Sequence, residues 1–180
     1  MQGTVKDSIG LPFTIFRARD ALDYAEAECM TPQPVSDEQL HWSMKLTEAG
    51  MLEGSTVKLL FSRPGLSLTY VWFRSGYPLP RHSHDVDCAY FIIAGGLKIG
   101  TEELGPGDGF FVGKDVPYTY TPGPDGVEVL EIRTANRFDI KLLANNSAWF
   151  EKALANLMTA RESWPEEAPP SGVMKVGEPS

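Results

Sequence analysis

"PRHSHDVDCAYFIIAGG", residues 80 to 96, decides how this 180-residue chain is read. His82 and His84 are one residue apart, and on an extended strand that spacing turns both imidazoles to the same face. The run that follows, "CAYFIIA", is apolar and aromatic, and Gly95-Gly96 closes it in the manner of a strand ending in a turn. A histidine pair on a strand is how many metal sites begin, but such a site needs further donors. The chain holds only one other histidine, His41.

Working outward, the stretch lies among other short β runs. "STVKLLF" and "LSLTYVWF" read as two strands around the turn "SRPG". After the histidine pair come "LKIG", "GFFVG", "YTY" and "VEVLEIR", each broken by Gly or Pro. Closely spaced strands of this kind predict a sandwich or small barrel, and 17 Gly with 14 Pro agree with a turn-rich β protein.

The flanks read differently. "RDALDYAEAE" (19–28) predicts a short helix with Asp20 as N-cap. In "LHWSMKL" (40–46) apolar and polar residues alternate, which predicts a strand with His41 on its polar face. "NNSAWFEKALANLMTARESW" (145–164) predicts a helix capped by Asn146 or Ser147, with Trp149, Phe150, Leu154 and Leu157 as its apolar stripe. The expected division is an N-terminal extension over 1–50, a barrel over 51–137, a C-terminal helical segment over 138–164 and a flexible tail over 165–180.

Bulk properties limit the partners. A net charge of −8 and a pI near 4.9 argue against nucleic acid or an anionic membrane, both of which need a basic face. No apolar run reaches the length of a membrane span, and "MQGTVKDSIG" lacks the apolar stretch of a signal peptide, so a cytoplasmic protein is expected. Two cysteines, Cys29 and Cys88, suggest reduced thiols rather than a disulfide framework.

Gly76, the pair His82-Ser83-His84, "YFIIAG" and Gly95 resemble the first motif of the cupin superfamily: glycine, two histidines, a glutamate and a closing glycine. "LGPGDGFFVGKDVPYTY" (104–120) resembles the second, which in that family carries a Pro-Gly turn and a third metal-binding histidine. The resemblance spans roughly residues 55 to 135. It implies a mainly β, cupin-type double-stranded β-helix (jelly-roll) barrel, with an N-terminal helical or strand extension and a C-terminal helix. It also implies a homo-oligomer, expected to be a dimer, with "LHWSMKL" and the C-terminal helix as candidate contacts.

The departures bear on function. The glutamate position falls on Cys88 or, one residue on, Ala89. The third histidine's position falls on Tyr118, and the turn reads Gly113-Lys114-Asp115. A divalent ion such as iron, zinc, nickel or manganese therefore has His82 and His84 as candidate ligands, with Asp87, Tyr118 or a Cys88 thiolate to complete the set. Each residue has a plainer alternative: the histidines a hydrogen-bonded pair, Cys88 a small buried hydrophobe, Tyr118 an aromatic wall, Asp85 and Asp87 turn residues.

The candidate catalytic residues are His82, His84 and Tyr118. Candidates for binding a small organic molecule are Cys88, Tyr90, Tyr120, Glu131 and Arg133. An Arg in the lumen suits a substrate carboxylate, although strand parity alone leaves open whether Glu131 and Arg133 or Glu128 faces inward. The expected function is a small-molecule enzyme of oxygenase, lyase or isomerase type that uses a metal. The alternatives are a metal-free dehydratase or isomerase using the histidines as bases, and a ligand-binding or sensory barrel without turnover.

Overall fold

The computed structural model describes residues 13–172. In chain order the elements are β1 (Leu22–Asp23), α1 (Tyr24–Ala27), β2 (Met30–Pro32), α2 (Asp37–Glu48), β3 (Ser55–Arg63), β4 (Leu66–Phe73) and β5 (His82–Ser83). They continue with β6 (Cys88–Ile99), β7 (Glu102–Leu104), β8 (Gly109–Val112), β9 (Thr121–Arg133), β10 (Phe138–Leu142) and α3 (Ser147–Ala160).

The larger sheet has the order β1-β3-β4-β9-β6-β7, with β8 also paired to β6, and β2-β10-β5 form the smaller sheet. Pairing in the larger sheet is antiparallel throughout, from the β3–β4 hairpin onward. Pro64 and Gly65 close that hairpin, Gly65 at φ +81°, a backbone region that glycine enters without steric cost.

Register stacks the inward side chains in layers. Ser67, Arg133, Cys88 and Val112 lie abreast across β4, β9, β6 and β8, and Thr69, Glu131, Tyr90 and Phe110 form the next layer. Val71, Val129 and Ile92 follow and are essentially inaccessible. The lumen therefore changes from apolar at this end to polar and charged toward β5.

Two flanking segments depart from expectation. Residues 40–46 are helical, inside α2. The helix starts with a capping box in which Ser36 Oγ accepts from the Gln39 amide and Gln39 Oε1 from the Ser36 amide. Gln39 and Leu46 are buried and Trp42 packs on the core, a helical spacing, while Leu40 and Met44 are exposed. The alternation of apolar residues was a coincidence of a helix with apolar residues on both faces. Of the helix expected over 19–28, Tyr24–Ala27 form one α-helical turn that starts after Asp23 rather than Asp20 and that Glu28 ends at φ +47°, while Ala18–Asp20 form a separate 3-10 turn.

α3 matches expectation, with Asn146 Oδ1 accepting from the Ala148 amide. Trp42 stacks on Phe150 at 5.9 Å, so the two candidate contact segments pack on each other. Beyond α3, Ser75 donates through its amide (3.0 Å) and its hydroxyl to Glu167. Ser171 donates through its amide (2.6 Å) and hydroxyl (3.0 Å) to Glu128, a carboxylate on the outer face of β9 that also accepts from Tyr70. Of the expected flexible tail, residues 165–172 thus include a segment hydrogen-bonded to the barrel; residues 173–180 lie outside the described residues.

No helix among the described residues is long and apolar enough to cross a membrane.

Candidate functional site

The site starts from β5. One side of His82 pairs with Leu142 of β10 and the other with Tyr118, whose carbonyl accepts from the His82 amide at 3.0 Å while its amide donates back at 2.9 Å. That bridge sets the Tyr118 hydroxyl 2.9 Å from His82 Nε2. The turn after His84 is clamped to β10 by reciprocal bonds: the Asp85 amide donates to Asp139 Oδ1 at 3.0 Å and the Asp139 amide to Asp85 Oδ1 at 2.8 Å.

The partners of the two rings fix their tautomers. His82 Nδ1 lies 2.7 Å from the Pro80 carbonyl, and His84 Nδ1 lies 2.7 Å from the Asp139 carbonyl. A carbonyl only accepts, so in each ring Nδ1 carries the proton. Burial holds both imidazoles neutral: it lowers the His82 pKa, and it lowers that of His84 to about 3 with help from the Arg133 charge. Both Nε2 atoms are then bare lone pairs. His82 Nε2 accepts from Tyr118, and the Tyr118 oxygen in turn hydrogen-bonds the Tyr90 hydroxyl. The polarity of the chain follows as Tyr90 to Tyr118 to His82. Burial, reinforced by the Glu131 charge, pushes the pKa of both tyrosines up, so they stay protonated donors.

Glu131 and Arg133 face inward and pair through Nη2 at 2.6 Å. Glu128, of opposite parity, faces outward. Burial opposes charge on Arg133, but the Glu131 carboxylate beside it prevails and its pKa is raised. The guanidinium lies 4.4 Å over the Phe138 ring, and Arg133 Nε and Nη1 are buried without a partner among the described residues. Cys88 is buried in the Arg133 layer, and burial pushes its thiol up to about 11, the condition of an inert hydrophobe rather than a ready thiolate. Tyr120 sits deeper, against Phe110 and Phe73, and does not join the hydroxyl chain.

Asp87, expected as a metal ligand, does not join the histidines. Its Oδ1 accepts from the Lys114 amide at 2.8 Å and so holds the turn at residues 113–115. Among the described residues no group of three or more His, Cys, Asp or Glu side chains is placed to hold a metal ion. The donor set meets part of what a divalent ion requires. Two neutral imidazoles with Nδ1 anchored on carbonyls are well-formed ligands, but Tyr118 takes the lone pair of one, the acids of the following turn are engaged elsewhere, and the Arg133 cation lies close. As arranged, these residues do not fit a resident divalent ion.

Sequence reading missed three members. Tyr24 reaches over from the N-terminal extension, its ring 6.2 Å from Phe138, and Asp139 supplies the carbonyl that orients His84. Phe138 lies under both Arg133 and His84, 5.4 Å from the imidazole. None carries a sequence signal, because each is brought in by the smaller sheet or the extension.

No family model matches the sequence, and no curated protein matches it. Among solved structures, an RmlC-like cupin from Shewanella frigidimarina is 21% identical over 46% of this chain and 78% of its own, with a TM-score of 0.42. KdgF from a Halomonas species is 20% identical over 45% and 79%, with a TM-score of 0.40. The polyketide cyclase RemF from Streptomyces resistomycificus is 19% identical over 59% and 83%, with a TM-score of 0.48. At these values none of their activities transfers to this chain. Its own topology, two mainly antiparallel sheets with the histidine pair on β5 bridged to Tyr118 of the second motif, is the jelly-roll fold that the resemblance to cupins implies.

Proposed function

We propose that the barrel is an enzyme acting on a small organic molecule in its lumen, by a step in which a proton is moved without a metal, as in a lyase or isomerase. The observation that carries this reading is the directed chain Tyr90–Tyr118–His82 beside His84, whose Nε2 has no hydrogen-bond partner among the described residues. His84 Nε2 offers the bare lone pair of a general base, whose pKa, depressed by burial and the Arg133 charge, rises once an anionic substrate offsets that charge, and the Tyr118 hydroxyl, hydrogen-bonded by Tyr90, is the general acid. His84 takes the proton from substrate. Tyr118 delivers one, and Tyr90 holds the Tyr118 oxygen in place.

A second reading rests on the two carbonyl-anchored Nδ1 atoms: a divalent ion held by His82 and His84, with Tyr118 turned away from His82 or bound as a further ligand. The two readings compete for one lone pair, so they are separable.

The test is to incubate the protein with a pool of small metabolites in D2O and follow them by mass spectrometry for incorporated deuterium or lost water. The reading expects one or more species to change with the wild type, equally after chelator treatment, and not with Tyr118→Phe or His84→Gln. Change that disappears with chelator and returns with added zinc or iron supports the metal reading. No change with the wild type leaves a binding protein without turnover.

A further inference from the structure

Among the described residues the buried side-chain donors without any partner are Trp72 Nε1 on the outer face and Arg133 Nε and Nη1 in the lumen. The indole is neutral and leaves one N–H idle. Arg133 is different: a guanidinium is charged at every physiological pH and carries five N–H donors, and a buried cation is stable only when paired and hydrogen-bonded. It is 3% exposed, and among the described residues its one polar partner is Glu131 Oε2, on Nη2. Glu131 balances the charge but leaves two of the three nitrogens idle.

The neighbours do not answer that demand. Ser67 Oγ, in the same layer, donates to the Ala135 carbonyl at 2.6 Å. Cys88, also in the layer, is a weak acceptor. His84 has its Nδ1 on Asp139, and Phe138 covers the face of the guanidinium with its ring rather than its edge with an acceptor. His84 and Arg133 flank the same Phe138 ring, at 5.4 and 4.4 Å. A group received by Arg133 is thereby brought to the Phe138 ring that His84 also borders.

Resting on the reading of the lumen as the ligand site, we propose that its ligand is a small carboxylic acid whose carboxylate is held by Arg133 Nε and Nη1. An anionic acceptor meets both needs at once, because it satisfies idle charged donors with charge-assisted hydrogen bonds. The aromatic surroundings, Phe138 under the guanidinium and Tyr90 stacked on Phe110 at 4.4 Å, match the apolar body of such an acid in chemistry. The carboxylate serves as the handle, and it sets the adjoining carbon of the substrate toward His84 and Tyr118. Glu131 holds Nη2 and keeps the guanidinium from turning.

The test uses matched acids and amides, formate against formamide and benzoate against benzamide, added to the whole 15N-labelled protein. The Arg133 Nε–H resonance, identified by its loss in Arg133→Lys, is followed by NMR. The expected result is a saturable shift with formate or benzoate at concentrations roughly tenfold below those of the amides, and, in the charge-neutral pair Glu131→Gln/Arg133→Gln, no acid–amide contrast at the His84 ring resonances that respond in the wild type. If that pair does not fold, the acid–amide contrast at Arg133 Nε–H in the wild type still decides the matter. Equal effects of acid and amide would overturn the carboxylate claim while leaving the lumen a small-molecule site. Formate is small enough to enter wherever water does, so no shift with any acid would overturn it as well. Exchange in D2O then judges the lumen reading separately.

Discussion

Replacing Tyr118 with Phe keeps the ring and removes one oxygen, so its cost is a matter of hydrogen bonds rather than cavity. That oxygen donates to His82 Nε2 at 2.9 Å and is bonded by the Tyr90 hydroxyl. Without it, two buried polar atoms lose their partners, each at a cost of about 1–3 kcal/mol, so Tyr118→Phe should lose roughly 2–6 kcal/mol. For a domain of this size that lowers Tm by about 10 °C. Tyr90→Phe removes the outer link alone. Tyr118 still donates to His82, and the loss is about 1 kcal/mol. The double variant no longer contains an orphaned Tyr90 hydroxyl, so it should be no less stable than Tyr118→Phe by itself, a clear departure from additivity. Urea unfolding of all four proteins at pH 7 measures this. Losses that simply add, or a Tyr90→Phe variant as damaged as Tyr118→Phe, would refute the directed chain. In the D2O assay Tyr118→Phe should lose on the order of 100-fold in rate, the usual share of a general acid.

Other consequences lie outside the lumen. Burial alone would raise the Glu167 pKa, but hydrogen bonds from the Ser75 hydroxyl and amide and from Ser163, with Arg74 nearby, outweigh it and lower the pKa. A depressed folded pKa gives stability that is present above the ordinary glutamate range and lost as pH falls through the folded value. Glu167→Gln should therefore flatten the acid limb of the stability curve, read as urea midpoints between pH 7 and 3. Glu128→Ala strands the Tyr70 hydroxyl and the Ser171 amide and should cost about 2–4 kcal/mol by the same unfolding measurement. Gly95 sits at φ +71°, and a Cβ there would lie 2.2 Å from the Gly126 carbonyl oxygen, so Gly95→Ala should lose roughly 3 kcal/mol or fail to fold. Gly105→Ala, with nothing within 4 Å, should melt close to the wild type.

The barrel was legible because its strands carry their own punctuation: glycine and proline at the turns, alternating burial along β6 and β9, and a histidine pair whose spacing needs a strand. Parity grouped Glu131 and Arg133 but could not choose their face. Register supplied the choice, by setting Cys88 against Arg133 and Tyr90 against Glu131. The alternating apolar residues of 40–46 misled, whereas Ser36 and Gln39 already spelled the capping box that starts α2. Asp87 looked like a ligand from its place in the chain, yet its carboxylate is committed to the Lys114 amide, and no pattern in one sequence reports where a turn residue points. Tyr24 and Phe138 were invisible for a related reason. They reach the site through pairing of distant segments, β10 with β2 and β1 with β3, and only the assembled sheets bring them to Arg133.

The claim that organises the site is the state of the two imidazoles, each neutral with its proton on Nδ1 and His82 Nε2 receiving a hydrogen bond from Tyr118. Long-range 1H–15N NMR of the histidine rings at pH 7, before and after chelator, measures it directly. The account predicts Nδ1–H tautomers for His82 and His84, a hydrogen-bonded Nε2 signal for His82 that loses that character in Tyr118→Phe, and spectra unchanged by the chelator. An imidazolium, an Nε2–H tautomer at His82, or ring signals that move when the chelator is added would contradict it.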